Sequence, residues 1–313
     1  MAGSKYAYVR SFELPDPILP NVFMVVRIDG KGFHKFSVAH GFAKPNDAPA
    51  LELMNHAARH VMQELKGEVV LAFGESDEYS FLLKRQCTLY NRRESKIVTH
   101  IVSMFTAGYV FNWSKYFPDN PMLQLPSFDG RLVVYPGIQE VRDYYAWRQV
   151  DTHINNLYNT TFWALIQEGS QTETQAHETL QGTVSGDKNE ILHARFGINY
   201  DKLPPMFRKG TTILWAPKAP TRDHAIAEAK AIESTRPSDD QVRPKANWNA
   251  SPSAKVKKEL RTMHVDIIGD AFWKAPQGVP ATAASPSSTA LLSEPWSDPL
   301  RLDPNVTAFG LLD

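Results

Sequence analysis

The chain has 313 residues, enough for one large domain or two modest ones at about 100 to 200 residues each. Its 42% hydrophobic and 22% charged residues exclude collagen, coiled coil and wholesale disorder, and 34 Lys plus Arg against 34 Asp plus Glu require any polyanionic partner to be held by a local basic patch. A lone cysteine, Cys87, rules out a disulfide framework or a multi-Cys zinc site, and neither the N-terminal MAGSKYAYVR nor short apolar runs such as Val22 to Val26 suit a signal peptide or membrane span; the expectation is a soluble intracellular protein with no membrane partner.

In chain order, NVFMVVRIDG is a continuous apolar run ending in Asp29-Gly30, the pattern of a buried central strand entering a turn. Between Ala50 and Leu65, apolar residues at Leu53, Met54, Ala57, Ala58, Val61, Met62 and Leu65 recur at i, i+3 and i+4, predicting a helix packed on a sheet. EVVLAF, the turn GESDEY and SFLLK predict a β-hairpin. A second helix is predicted from about Glu94 to Tyr116, and a last strand at RLVVYP, Arg131 to Pro136. Strand, helix, hairpin, helix, strand is the βαββαβ order of ferredoxin-like α+β domains, a fold that hosts many unrelated functions.

Further on, DTHINNLYNTTFWALIQ predicts a helix with Ile154, Leu157, Tyr158, Thr161 and Leu165 on one face and His153, Asn156 and Thr160 on another. Half of the 22 prolines follow Trp215, so order is expected to decline there. A basic stretch holds Arg243, Lys245, Lys255, Lys257, Lys258 and Arg261, and the apolar-aromatic VDIIGDAFWK follows it. From Ala275 the Pro- and Ser-rich sequence reads as a disordered tail that cannot bury enough surface to offset chain entropy. The expected segments are 1–136, 137–215, 216–274 and a tail at 275–313.

Two acids stand at structurally meaningful points, Asp29 at the exit of the first strand and Asp77 in the hairpin turn. If those strands are neighbours, about 4.8 Å apart, both carboxylates reach a common pair of divalent cations, the arrangement used for in-line phosphoryl displacement. Mg²⁺ suits such a site, because it takes few protein carboxylates and completes its octahedron with phosphate and water. Gly30 and Gly32 in DGKGFHKF let the backbone approach a triphosphate. Asp, Glu, Ser and Gly also favour turns for local reasons, so on these residues alone a turn role and a metal role both stand open.

RIDGKGFHKF, FAKPND, FGESDEYSF, HINNLYNT, GDKNEIL, MFRKGT and DIIGDAFWK occur in that order. Together they closely resemble the eukaryotic tRNA(His) guanylyltransferases, from about Tyr6 to Lys274. The resemblance implies a polymerase palm-like catalytic domain at 1–136, a helical region for tRNA binding and assembly at 137–215, and a basic C-terminal region at 216–274. It implies an enzyme that adds one guanylate to the 5′ end of tRNA(His), in the 3′-to-5′ direction. ATP would first adenylylate the 5′-phosphate, the 3′-hydroxyl of GTP would then attack it, and pyrophosphate would be removed. Two Mg²⁺ ions, a homotetramer and a cytoplasmic or nuclear location are implied as well. By the same resemblance Asp29, Asp77 and the Gly30 carbonyl are metal ligands and Glu78 is a further catalytic acid. GTP would lie on Asp29, Gly30, Lys31, Gly32, Phe33, His34, Ser76 and Asp77. Lys44 and Asn46 would support the ATP step, and His153 and Lys188 would bind tRNA.

The alternatives are a helix-terminal, solvent-facing His153 and a solvated surface Lys188. Arg92, Arg93 and Lys96 cluster at a predicted helix start, where the dipole is already positive and a phosphate would relieve them. Arg131, Arg208 and Lys209 are further phosphate candidates, while Trp147, Trp163, Trp215 and Trp248 are expected to pack rather than stack on bases. Two rival functions share the topology. A noncatalytic RNA-binding module would want exposed aromatics on its central strands, and a palm-type nucleotide cyclase would have no use for HINNLYNT or the basic downstream segments.

Overall fold

The computed structural model describes residues 4–218 and 258–273. The basic stretch up to Lys257, Trp248, and the expected tail at 275–313 lie outside the described residues.

Strand β1 (Phe23–Gly30) pairs antiparallel with β3 (Glu78–Leu83) on one side and β4 (Phe128–Tyr135) on the other, and β2 (Val69–Glu75) pairs with β3. The sheet order β4-β1-β3-β2 is that of a ferredoxin-like βαββαβ unit, as expected. Two more strands extend it past β2: β5 (Thr211–Pro217) and then β6 (Lys258–Met263). They come from the ends of segments that composition set apart from the first 136 residues, so one antiparallel sheet runs across those divisions.

The apolar run of β1 is continuous because both faces of the sheet are covered. Met24, Val26 and Ile28 point to one side, with Tyr79, Phe81 and Leu83 of β3, and meet α2 (Ala48–Glu64) and α3 (Glu94–Tyr116). Phe23 and Val25 point to the other, with Leu71, Phe73, Leu82 and Leu214. There they meet Val141, Tyr144 and Tyr145 of α4 (Ile138–Gln167), together with Ile267 and the short helix ending in Phe272 and Trp273. The segment VDIIGDAFW (Val265 to Trp273) is therefore part of the second core layer.

Helix α4 is 30 residues long, about 45 Å at 1.5 Å per residue. It begins well before the predicted Asp151, because Val141, Tyr144 and Tyr145 already supply a helical apolar face. Its second half leaves the sheet and carries α5 (Glu173–Leu180) and α6 (Ser185–Phe196) on Leu157, Phe162, Ala164 and Leu165. The predicted faces are corrected in part: Ile154 is 51% exposed, whereas Asn156 and Thr160 are buried. Asn156 is tolerated inside because it donates to the Tyr200 hydroxyl at 3.0 Å and accepts from Asn46 Nδ2 at 2.9 Å. No helix among the described residues is long and apolar enough to cross a membrane.

Two members of the expected basic cluster at the start of α3, Arg92 and Arg93, are answered from within, while Lys96 is exposed. Arg92 is buried and donates to the carbonyls of Ile18, Leu19, Val22 and Cys87. Arg93 pairs with Asp16 at 2.9 Å and Glu13 at 3.1 Å. Backbone carbonyls and two acids thus replace the phosphate that the local dipole argument called for.

Candidate active site

The site is built where β1 ends and the β2–β3 hairpin turns. Register places Asp29 opposite Glu78, and the Gly30 amide donates to the Asp77 carbonyl at 3.1 Å, so the hairpin tip lies against the exit of β1. Position 30 has no room for a side chain. A Cβ there would fall 2.3 Å from the Phe33 ring and 2.8 Å from Asp77 Oδ2, so glycine is what lets the Asp77 carboxylate close on the β1 backbone. Gly32, at φ +71°, caps α1 (Phe33–Ala39) in the left-handed conformation. Ser76 also has a positive φ, 48°, at the hairpin tip.

Beside this tip opens a cleft of about 1110 Å³. Of the residues expected at the site, Asp29, Phe33, His34, Lys44, Asn46, Ser76, Asp77 and Glu78 line it. Phe33 is only 8% exposed and packs on Phe36, Tyr109 and Phe128, so it forms the floor. Lys31 and Gly32 are exposed in the turn outside the lining. His153 and Lys188 lie off the cleft: the His153 ring meets Tyr200, and Lys188 donates to the Thr183 carbonyl at 2.8 Å. Lys44 sits 6.0 Å above the Trp163 ring, and Asn46, bonded to Asn156, ties the Lys44 loop to α4.

Five carboxylates gather at this end of the molecule, and only some are neutralised from within. Arg148 of α4, with 5% of its side chain exposed, lies 3.3 Å from Glu75, 3.2 Å from Glu78 and pairs with Asp151. Arg27 adds a contact to Glu78 at 3.7 Å. Burial pushes Glu75 up to about 7, against a Thr152 hydrogen bond that favours the charged form. Burial also raises Glu78, with Arg148 and Arg27 opposing it. Asp77 is raised by burial and then by the neighbouring Asp29. Among the described residues no Lys, Arg or His pairs with Asp29 or Asp77.

Two adjacent carboxylates with no internal counter-charge, beside a backbone that a Cβ would obstruct, make a donor set suited to a hard divalent cation. No group of three or more His, Cys, Asp or Glu in metal-binding arrangement occurs among the described residues, so a cation here would need backbone oxygen, water or phosphate to complete its shell. Arg27, Glu75, Arg148, Asp151 and Thr152 were missed by sequence reasoning. One signal was available: Arg27 interrupts an otherwise apolar strand, and a charge in a buried run implies a buried partner.

The family model for tRNAHis guanylyltransferase matches residues 6–136, and that for the C-terminal domain of the same family matches residues 139–269. The chain belongs to the tRNA(His) guanylyltransferase family. It is 50% identical over 277 residues to the tRNA(His) guanylyltransferase of Neurospora crassa, covering 88% of this chain and 94% of that protein. The crystal structure of the Saccharomyces cerevisiae tRNA(His) guanylyltransferase superposes with a TM-score of 0.65 at 52% identity, over 67% of this chain and 93% of that one. A bacterial guanylyltransferase-like protein in complex with ATP has a TM-score of 0.55 at 27% identity, over 66% of this chain and 85% of that chain.

Proposed function

We propose that this chain adds a single guanylate to the 5′ end of tRNA(His), in the 3′-to-5′ direction. A 5′-phosphate oxygen of the RNA attacks the α-phosphorus of ATP and pyrophosphate leaves. The 3′-hydroxyl of GTP then attacks the activated 5′-phosphate and AMP leaves, and pyrophosphate is cleaved from the new 5′ end. The observation that carries this reading is that Asp29, at the exit of β1, and Asp77, at the hairpin tip held to the Gly30 amide, line one large cleft in a chain of this family.

Asp29, Asp77 and the Gly30 carbonyl would hold two Mg²⁺ ions, which when bound stabilise charge on the attacking and leaving oxygens. Glu78, kept in place by Arg148 and Arg27, supports Asp29 across the strand pair. The turn from Asp29 to His34, with Ser76, receives GTP, and the exposed Lys31 and His34 supply polar and cationic contacts. Lys44 and Asn46 serve the ATP step, in keeping with the ATP bound by the bacterial relative. His153 and Lys188, on neighbouring helices away from the cleft, contact the tRNA. A homotetramer in the cytoplasm or nucleus completes the proposal.

Neither rival function is favoured by a structural feature. The strand aromatics Phe23, Phe73, Tyr79 and Phe81 are buried beneath helices, so these central-strand rings offer RNA no base-stacking platform. The test is incubation of the purified protein with Mg²⁺, ATP, labelled GTP and 5′-monophosphorylated tRNA(His). Label at the RNA 5′ end is expected, and its absence under conditions where the protein is folded would sink the proposal.

A further inference from the structure

Helix α1 carries the Asp29–His34 turn onward along the cleft, and little in its own sequence holds it there. It has seven residues, and its N-cap, Gly32, offers the first turn no side chain. A helix this short is marginal alone, so its neighbours must fix it. Phe33 and Phe36 are its buried residues, while His34, Ser37 and Val38 line the cleft.

The segment from Asn120 to Ser127 grips both ends of this helix. Ahead of it, the Lys31 amide donates to the Ser127 carbonyl at 2.8 Å. Behind it stands His40, 3% exposed. The His40 carbonyl accepts from Asn120 Nδ2 at 2.7 Å, and its Nε2 accepts from the Leu123 amide at 2.8 Å. Its Nδ1 donates to the Phe36 carbonyl at 2.8 Å. A carbonyl only accepts and an amide N–H only donates, so both bonds together require a neutral ring with its proton on Nδ1. Trp113 Nε1 donates to the Asn120 carbonyl at 2.7 Å, which fastens the same segment to α3.

The two ring bonds differ in what their loss would leave. The Phe36 carbonyl also accepts the His40 backbone amide at 3.1 Å, so it keeps a partner without Nδ1. Among the described residues the Leu123 amide has no acceptor besides His40. Removing Nε2 therefore strands a donor and opens the grip on α1, because a polar group left unmade costs more than a redundant bond.

We infer that His40 is a positioning residue for guanylate addition, closing the 120–127 segment onto α1 through Leu123 and so holding the Asp29–His34 turn in the geometry that GTP requires. The inference rests on the proposed function, which places GTP on that turn. The Lys44 side of the cleft has its own ties, Asn46 to Asn156 at 2.9 Å, the Ala43 amide to Asp47 at 2.9 Å and the Phe42 ring stacked on Phe117 at 5.2 Å. Loss of the His40–Leu123 bond should therefore separate the two steps of the reaction.

The test compares His40→Asn with His40→Gln in the full chain, with Mg²⁺ present. Asn reaches the place of Nδ1 and keeps only the bond to Phe36, whereas Gln reaches the place of Nε2 and keeps the bond to Leu123. Guanylate addition is read with tRNA(His) carrying a 5′-triphosphate, where the 3′-hydroxyl of GTP attacks the α-phosphorus and pyrophosphate leaves, so that no ATP is needed. The ATP step is read as adenylylated RNA formed from 5′-monophosphorylated tRNA(His) without GTP. Expected for His40→Asn is a fall in kcat/KM for GTP on the order of 100-fold, the cost of a reacting group displaced by about 1 Å, with the ATP step little changed. His40→Gln should recover most of that loss. Histidine ¹⁵N NMR of the wild type should show a neutral ring protonated on Nδ1, a signal missing from His40→Gln. Normal addition by His40→Asn overturns the inference, as does a ring protonated on Nε2. Equal losses in both steps also overturn it and leave His40 with a purely structural part. A wild type that adds no guanylate sinks the proposed function instead. The positioning role is then decided by GTP affinity in equilibrium dialysis, which His40→Asn should weaken and His40→Gln should largely keep.

Discussion

The hairpin tip and the acidic patch behind it lie within a few residues of each other, yet among the described residues counter-charge reaches only the patch. Glu75, Glu78 and Asp151 converge on Arg148, whose guanidinium also lies 4.0 Å from the Trp147 ring centroid. Asp29 and Asp77 face each other without an Arg or Lys, and Asp77 is raised by burial and by that neighbour. Compensated buried charge serves architecture, because the pair fixes a hairpin to a helix. Uncompensated charge costs stability and is kept where a ligand will supply the missing cation.

The largest effect should come from the uncompensated pair. Asp29→Ala or Asp77→Ala is expected to abolish guanylate addition, and the double variant should be scarcely worse than either single one, since residues acting as a unit are not additive. Asp77→Asn should lose activity equally while the metal-free protein melts no lower than wild type, because the substitution removes a buried, repelled charge. Near-normal turnover in any of these variants, or a marked fall in Tm for Asp77→Asn, would erase the contrast between the two regions.

The compensated patch should respond in the opposite sense. Arg148→Met leaves Glu75 without a counter-charge and Glu78 with Arg27 alone, and is expected to cost roughly 3–5 kcal/mol, as breaking a buried ion pair does. That is a fall in Tm of roughly 6–20 °C at about 2–4 °C per kcal/mol for a domain of this size. Adding Glu75→Gln and Glu78→Gln should recover part of it. An Arg148→Met protein as stable as wild type would show that Arg148 is not what holds the hairpin.

A smaller effect concerns pH. Glu75 is held at about 7, above its ordinary 4.5, so between those values the folded state keeps a proton that the unfolded chain has released. Its contribution to stability is fully present below about 4.5 and is lost as pH rises through about 7. Chemical denaturation of metal-free protein should show stability falling across that window, and Glu75→Gln should flatten the decline. A profile unaltered by the substitution would remove Glu75 from the account.

The smallest effect is expected away from the cleft. Lys188 already donates to Thr183 and lies 5.9 Å from the Tyr158 ring, so its share in tRNA binding is one phosphate at most. Lys188→Ala should reduce the slope of log affinity against log salt by about 0.9, the release of one counterion. An unchanged slope in a filter-binding titration would leave Lys188 a purely structural residue.

Much of this molecule was legible in one dimension. Continuous apolar runs located β1 and the hairpin, and the period-3.6 pattern located α2 and α3, because sheet faces and helix stripes must be apolar wherever they are buried, and Asp29 and Asp77 stood out as acids at strand ends. The ordered motifs pointed to the family before any geometry was known. What only the tertiary structure decided was pairing across long separations. Nothing local to Arg148 marks it as the partner of Glu75 and Glu78, and nothing local to Arg92 shows that carbonyls of residues 18–22 satisfy it. Nor does Trp163 show in sequence that it shares a cleft with Asp29. Periodicity reports which side of an element is buried, because that is a property of one segment. Charge compensation, cleft shape and the room left by a missing Cβ belong to pairs of distant segments, and they exist only once the sheet has brought those segments together.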